Sequence, residues 1–250
     1  MTVWNVLVDV GLGLVLGTLG GLFGIGGGLV AIPALGVLFG LDQQMAQGTA
    51  LVMVVPNVLL ALWRYHQRNR IDPRHAGLLA LSGFAFAWLA SIYAVRLDAE
   101  RMRMGFVVFL VLLALYNFAR MFMQRRAPAA GLRHPWPWLA VLGGFAGVLG
   151  GLFGVGGAVL ATPVLTSVFG TSQVVAQGLS LALAAPSTAV TLATYATHDH
   201  VNWAMGIPLA VGGLLSITWG VRLAHRLPEP LLRSLFCIFL VLCALSLALH

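Results

Sequence analysis

Ten apolar runs, each closed off by a short polar stretch, leave this chain almost no way to fold in water. Five lie at about 3–22, 28–40, 44–63, 76–95 and 104–123, and five more at about 136–152, 158–170, 174–194, 204–221 and 234–249. Crossing a hydrocarbon core of ~30 Å takes about 20 helical residues, which most of these runs supply. The second run of each set, 28–40 and 158–170, reaches only ~20 Å at about 1.5 Å per residue. Only 8% of the residues are charged and 60% are hydrophobic, with mean hydropathy +0.94. A soluble domain carries about 25% charge. An all-α polytopic membrane protein is therefore expected. Met1-Thr-Val-Trp-Asn5 has no basic leader, so the first run is expected to stay in the membrane rather than be removed as a signal peptide.

The two sets of runs are copies of one another. Gly21-Leu-Phe-Gly-Ile-Gly-Gly27 matches Gly151-Leu-Phe-Gly-Val-Gly-Gly157 at an offset of 130 residues. The same offset, without a gap, pairs Pro33 with Pro163, Ala46-Gln47-Gly48 with Ala176-Gln177-Gly178, and Pro56 with Pro186. It goes on to pair Tyr65 with Tyr195, Gly83 with Gly213 and Arg96 with Arg226. The chain divides on this basis into a first membrane repeat (1–123), an Arg-rich cytoplasmic linker (124–135) and a second membrane repeat (136–250).

Arginine supplies all of the positive charge, since the chain has no lysine. Arginine enrichment marks cytoplasmic loops. The loop after the third run holds Arg64, Arg68, Arg70 and Arg74, whereas its counterpart, Thr194 to Trp203, holds none. The first is read as cytoplasmic and the second as outside. The linker and the loop with Arg222, Arg226 and Arg233 are also read as cytoplasmic. Each copy then crosses an odd number of times, the copies are inverted, and both termini face outside. Either all five runs of a copy cross, or the first two form a re-entrant pair. Eight spans would conflict with the arginine placement. Because the arginines sit at run ends and not on a polar domain, nucleic acid is not an expected partner.

Glycine this dense breaks a helix, each residue costing roughly 1 kcal/mol against alanine. Irregular backbone at membrane depth is tolerated only where protein or water surrounds it. Short, glycine-interrupted segments at matching places in two halves point to the binding site of a transporter. A new helix starting near Gly28 or Ala158 would aim free N–H groups and a positive dipole end at the break, an anion site made of backbone. The expected substrate-binding set is Gly24, Gly26, Gly27 and Gly28 with Gly154, Gly156 and Gly157. To these are added hydrogen-bonding groups of the third runs: Gln47, Gly48, Thr49 and Asn57, and Gln177, Gly178, Ser180 and Ser187. Asp42 and Ser172 are expected helix N-caps. Gly13, Gly17 and Gly21, spaced four apart, are expected to pack helix against helix.

Other candidates are fewer. Asp9, the one acid inside an apolar run, is a proton-coupling candidate by its position. His198-Asp199-His200 lacks further converging ligands, so no metal site is expected. Cys237 and Cys243, six residues apart on one run, are expected as buried thiols without a bridge. Trp136 and Trp138 are expected in an interfacial belt. No P-loop lysine follows the glycines, and HExxH, GxSxG and paired intramembrane acids are all missing. No enzyme activity and no cofactor is expected.

Both glycine motifs, each followed by a proline-containing short segment and then Ala46-Gln-Gly-Thr-Ala50 or Ala176-Gln-Gly-Leu-Ser180, resemble the sulfite exporter TauE/SafE family over essentially the whole chain. The resemblance implies export of sulfite, sulfoacetate or a similar small anion across the bacterial inner membrane. Secondary transport by alternating access is the expectation, with Phe23, Phe153 and kinks at Pro56 and Pro186 as gate parts. An anion channel on the same scaffold is the alternative. The expected partners are a small anionic substrate, the lipid bilayer and a coupling ion for which the proton is a candidate.

Overall fold

The computed structural model describes residues 3–23, 26–68, 72–122, 135–227 and 229–249. All regular structure among them is helical: α1 (Val3–Phe23), α2 (Gly28–Phe39), α3 (Gln43–Arg68), α4 (Pro73–Ala94), α5 (Ala99–Phe122), α6 (Trp138–Phe153), α7 (Ala158–Ser167), α8 (Gln173–Thr197), α9 (Trp203–Arg226) and α10 (Glu229–Leu249). Each apolar run corresponds to one helix. Six of the helices, α1, α3, α4, α5, α8 and α9, are long and apolar enough to cross a membrane. The chain is a multi-pass helical membrane protein. The short second segments are short helices, 12 residues in α2 and 10 in α7, which extend ~18 and ~15 Å at about 1.5 Å per residue. Apart from Pro135, the linker 124–135 lies outside the described residues.

The helix starts repeat as the sequence does. Asp42 Oδ1 accepts the Met45 N–H at 2.8 Å and Ser172 Oγ accepts that of Val175 at 3.4 Å, so both expected caps are in place. Asp72 caps α4 through the Arg74 N–H, and Asn202 caps α9 through that of Met205. Cap positions 42 and 172, like 72 and 202, stand 130 residues apart. The side chain differs between copies while the lone pair offered to the first turn does not. α3 and α8 run unbroken through Pro56 and Pro186.

Two compact units form, and each draws helices from both halves of the sequence. Unit 1 (Met1–Met53, Leu97–Gln124, His200–His250) holds α1, α2, the start of α3, α5, α9 and α10. Unit 2 (Val54–Arg96, Arg125–Asp199) holds the rest of α3, α4, α6, α7 and α8.

In unit 1 the main seam is α1 against α9, and glycines make it. A methyl group on Gly13 would meet the Leu209 backbone, one on Gly17 would stand 2.6 Å from the Gly213 Cα, and one on Gly21 would run into the Ile217 carbonyl. In unit 2 the same seam joins α6 to α4. Gly143 lies on the Leu79 backbone, a Cβ on Gly147 would be 2.9 Å from the Gly83 Cα, and Gly151 abuts the Ala87 carbonyl. The three glycines of α6 are those of α1 shifted by 130. Lipid tails are as apolar as leucine, so helices in a bilayer associate through close van der Waals packing, which small residues permit. Unit 2 adds an apolar core of Leu79, Leu139, Leu142, Leu165, Leu179 and Leu183. In unit 1 Leu29, Ile32, Leu35, Met53 and Phe106 are fully enclosed. Cys237 and Cys243 are buried thiols.

The seam yields a paired prediction. Gly147→Ala should lower unfolding stability by about 1–3 kcal/mol, because the added methyl must push the two backbones apart. Gly11→Ala, on the same kind of helix with nothing within 4 Å of the new methyl, should be neutral or gain up to about 1 kcal/mol. Thermal or denaturant unfolding of the two variants in one detergent checks the contrast, and equal stabilities would refute the seam.

Candidate functional site

The break in unit 2 is seen from end to end. α6 stops at Phe153 because Gly154 turns left-handed (φ 69°), its N–H returning to the Gly150 carbonyl at 2.9 Å. Gly156 (φ 73°) and Gly157 (φ 70°) are left-handed as well. This backbone is cheap only for glycine. α7 then begins, with the Gly157 carbonyl accepting from Leu160 N and Ala161 N. In unit 1 Gly26 (φ 71°) and Gly27 (φ 93°) repeat the pair, and the Gly27 carbonyl accepts from Val30 N and Ala31 N. Gly24, expected in the binding set, lies with Ile25 outside the described residues.

The surroundings repeat too. Gly27 lies against Met53 Cε and the Leu16 carbonyl; Gly157 lies against Leu183 Cδ2 and the Ala146 carbonyl. Positions 16 and 146, like 53 and 183, are again 130 apart. Gly20 and Gly150 let the returning chain pass directly over the end of α1 and α6. Each break is thus a folded object held by one helix on either side.

The starts of α2 and α7 are buried at Gly28, Leu29, Ala158 and Val159. The N-cap residues, Gly27 and Gly157, have no side chain to offer the first turn of α2 or α7. The leading N–H groups of a helix have no partner within it. Enclosing an unpaired N–H costs about 1–3 kcal/mol. Together with the positive end of the helix dipole, such a start favours a negative group.

The side chains expected at the site divide by what already occupies them. In unit 1, Thr49 Oγ1 accepts the Asn202 N–H at 3.0 Å, and Gly48 has no room for a Cβ beneath the His200 carbonyl. Both secure the approach to α9. Gln47 and Asn57 are fully buried. Gln43, which sequence reasoning passed over, is 5% exposed and its Nε2 has no acceptor among the described residues; its one sequence signal is its place next to the Asp42 cap. In unit 2, the Gln177 Oε1 accepts from the Tyr65 hydroxyl, and Gly178 is buried. Tyr65 was visible in the sequence only as the repeat partner of Tyr195. Ser187 Oγ donates to the Leu183 carbonyl at 2.8 Å, so its hydrogen is spent within α8. Ser180 is 1% exposed and its hydroxyl has no partner among the described residues. Ser180, Ala184 and Thr188 follow at four-residue spacing, which sets them on one face of α8. Ala184 and Thr188 of that face touch Gly156.

Phe23 packs on Phe236 and Phe239 of α10, with ring centroids 5.0 and 5.8 Å away, while Phe153 is buried in unit 2. Pro56 and Pro186 are half-buried within α3 and α8. Asp9 is 3% exposed on α1, without an ion pair or hydrogen bond among the described residues. The equivalent position in the other copy is the fully buried Leu139. His198 Nδ1 is engaged by the Thr194 carbonyl at 2.8 Å. No three His, Cys, Asp or Glu side chains converge as metal ligands among the described residues.

Known proteins align along most of the chain. The family described as Sulfite exporter TauE/SafE matches residues 10–247. A "Probable membrane transporter protein" of Xylella fastidiosa strain 9a5c is 30% identical over 232 residues, covering 90% of this chain and 87% of its own length. "Probable membrane transporter protein YunE" of Bacillus subtilis is 25% identical, covering 92% of this chain and 93% of its own.

The two causes of glycine dependence at the break can be separated. Gly157→Ala combines left-handed backbone, roughly 1–2 kcal/mol, with a collision against the Ala146 carbonyl, about 1–3 kcal/mol more. Gly40→Ala is left-handed too, but nothing lies within 4 Å, so only the first cost applies. Unfolding measurements should rank Gly157→Ala as clearly the more destabilised, and the reverse order would contradict the close packing of the break.

Proposed function

Because the chain belongs to the sulfite exporter TauE/SafE family, we propose that it exports sulfite, sulfoacetate or a related small anion by alternating access across the bacterial cytoplasmic membrane. It is a membrane transporter by family, and this reading includes no catalytic step. The observation that carries the anion is the twice-built break, where a left-handed glycine pair ends in a buried helix start whose N-cap is a glycine. Backbone N–H groups suit an oxyanion in this setting. They bring no fixed charge into the bilayer, where an ionised side chain is expensive, and they hold the anion weakly enough to let it leave. In unit 2 the Ser180 hydroxyl is the side-chain donor left over for such an anion, and the bond from Tyr65 to the Gln177 oxygen leaves the amide nitrogen of that residue as a second donor.

Ser180→Ala tests this directly. A buried hydroxyl without a partner is a burden on the folded protein, so its removal should leave stability unchanged or raise it by up to about 1 kcal/mol. Sulfite efflux from proteoliposomes should show a KM raised about 2- to 12-fold, corresponding to one hydrogen bond of ~0.5–1.5 kcal/mol. An unaltered KM would remove Ser180 from the site. Wild-type flux equal to that of protein-free vesicles would remove sulfite as the cargo.

Proton coupling is assigned to Asp9, the buried acid of α1. Asp9→Asn should abolish the acceleration of sulfite flux by an imposed pH gradient while leaving exchange at equal pH in place. A gradient response that survives the substitution would transfer coupling to another group.

A further inference from the structure

Beside the α1–α9 seam of unit 1 lies a groove of about 750 Å³ that the proposed transport site does not use. Cavities that take a sizeable organic molecule span about 300–1,000 Å³, so the space is ample for an alkyl chain. Its walls are Leu14, Leu215 and Leu223, and Trp219 stands at its side. Leu215 is 63% exposed and Trp219 71%, so the groove opens onto the bilayer. The hydroxyls within it are already committed: Thr18 donates to the Leu14 carbonyl at 2.7 Å and Ser216 to that of Gly213 at 3.3 Å. The remaining polar groups of the lining are the indole N–H of Trp219 and the guanidinium of Arg222, the latter the one charge among them. The guanidinium is exposed and has neither an ion pair nor a hydrogen bond among the described residues. An arginine near a helix end reaches the headgroup layer, where a lipid phosphate can meet it.

We propose that this groove binds an anionic diacyl phospholipid, with one acyl chain along Leu14 and Leu215 and the phosphodiester on the Arg222 guanidinium. Charge complementarity selects the headgroup. A zwitterionic lipid brings the same phosphodiester together with an ammonium that the guanidinium repels, whereas an anionic headgroup brings none. Trp219 sits one helical turn from Arg222, where an indole favours the boundary between chains and headgroups. Basic pockets between membrane helices on the cytoplasmic side take such lipids, and the arginine placement reads the loop after α9 as cytoplasmic.

Trp219 makes the lipid observable. The full-length protein is reconstituted into phosphatidylcholine vesicles that contain a minor fraction of brominated phosphatidylglycerol or, in parallel, of brominated phosphatidylcholine. The Trp219 contribution is taken as the difference from Trp219→Phe, since the chain has seven tryptophans. Brominated phosphatidylglycerol should occupy the groove about fivefold more effectively, the ratio that ~1 kcal/mol per arginine gives. Arg222→Gln should bring the two lipids level and Arg222→Lys should retain the preference. Arg74→Gln, on an exposed residue of unit 2, should leave it untouched. Equal quenching in the wild type, or a preference that survives Arg222→Gln, overturns the proposal. Trp219 shielded from both lipids also overturns it and assigns the groove to a second copy of the chain. Loss of the preference in inorganic phosphate, but not in chloride of equal ionic strength, overturns the lipid in favour of a free anion.

Discussion

Backbone-to-backbone approach at glycine is the contact on which the rest of this protein depends. Burying leucine gains little in a bilayer, where the surroundings are already hydrocarbon. Association falls to the contacts that lipid cannot imitate, and two helices touching along their main chains make many of them. Gly13, Gly17 and Gly21 bring α1 onto α9, and Gly143, Gly147 and Gly151 bring α6 onto α4. Each seam carries its helix to its end beside the break. The same helices then support the break from one side, through the Leu16 and Ala146 carbonyls.

At the break glycine acts by a different property. Gly26, Gly27, Gly156 and Gly157 take left-handed backbone, and the short helices that follow start inside the protein with their leading N–H groups enclosed. One residue type thus performs two tasks within a single stretch: first close packing, then reversal of direction. This accounts for the density of glycine over residues 11–28 and 143–157. Side chains beyond the break secure the frame in unequal ways. Thr49 and Ser187 are bound to the backbone, whereas Ser180 is not. The two copies therefore share a main-chain design and differ in the polar groups displayed around it.

Much of this was legible in the chain itself. Ten apolar runs became ten helices, the second runs became the short ones, and Asp42 and Ser172 cap the helices assigned to them. The packing face of α1 was readable because four-residue spacing determines a face. Its partner was not, since spacing carries no information on which distant helix presents the matching face, and α9 rather than the sequence-adjacent segments does so. The hydrogen bond between Tyr65 and Gln177 spans 112 residues and escapes local reasoning for the same reason. Polar residues near a proline suggested donors to a ligand at Ser187, yet a hydroxyl in a helix can always turn to the carbonyl four residues back, and whether it does depends on burial that composition does not reveal.

The division into units has a consequence for how the chain is made. α1 ends at Phe23 and its partner α9 begins at Trp203, 180 residues later. At translation rates of about 5–20 residues per second, the glycine face of α1 stays without its partner for roughly 9–36 s. During that time its close-approach surface is open to lipid, to insertion chaperones or to the helices of another nascent chain. α6, by contrast, emerges with α4 already made. Unit 2 can thus close before unit 1, and α1 is left waiting while most of the helices after it are made.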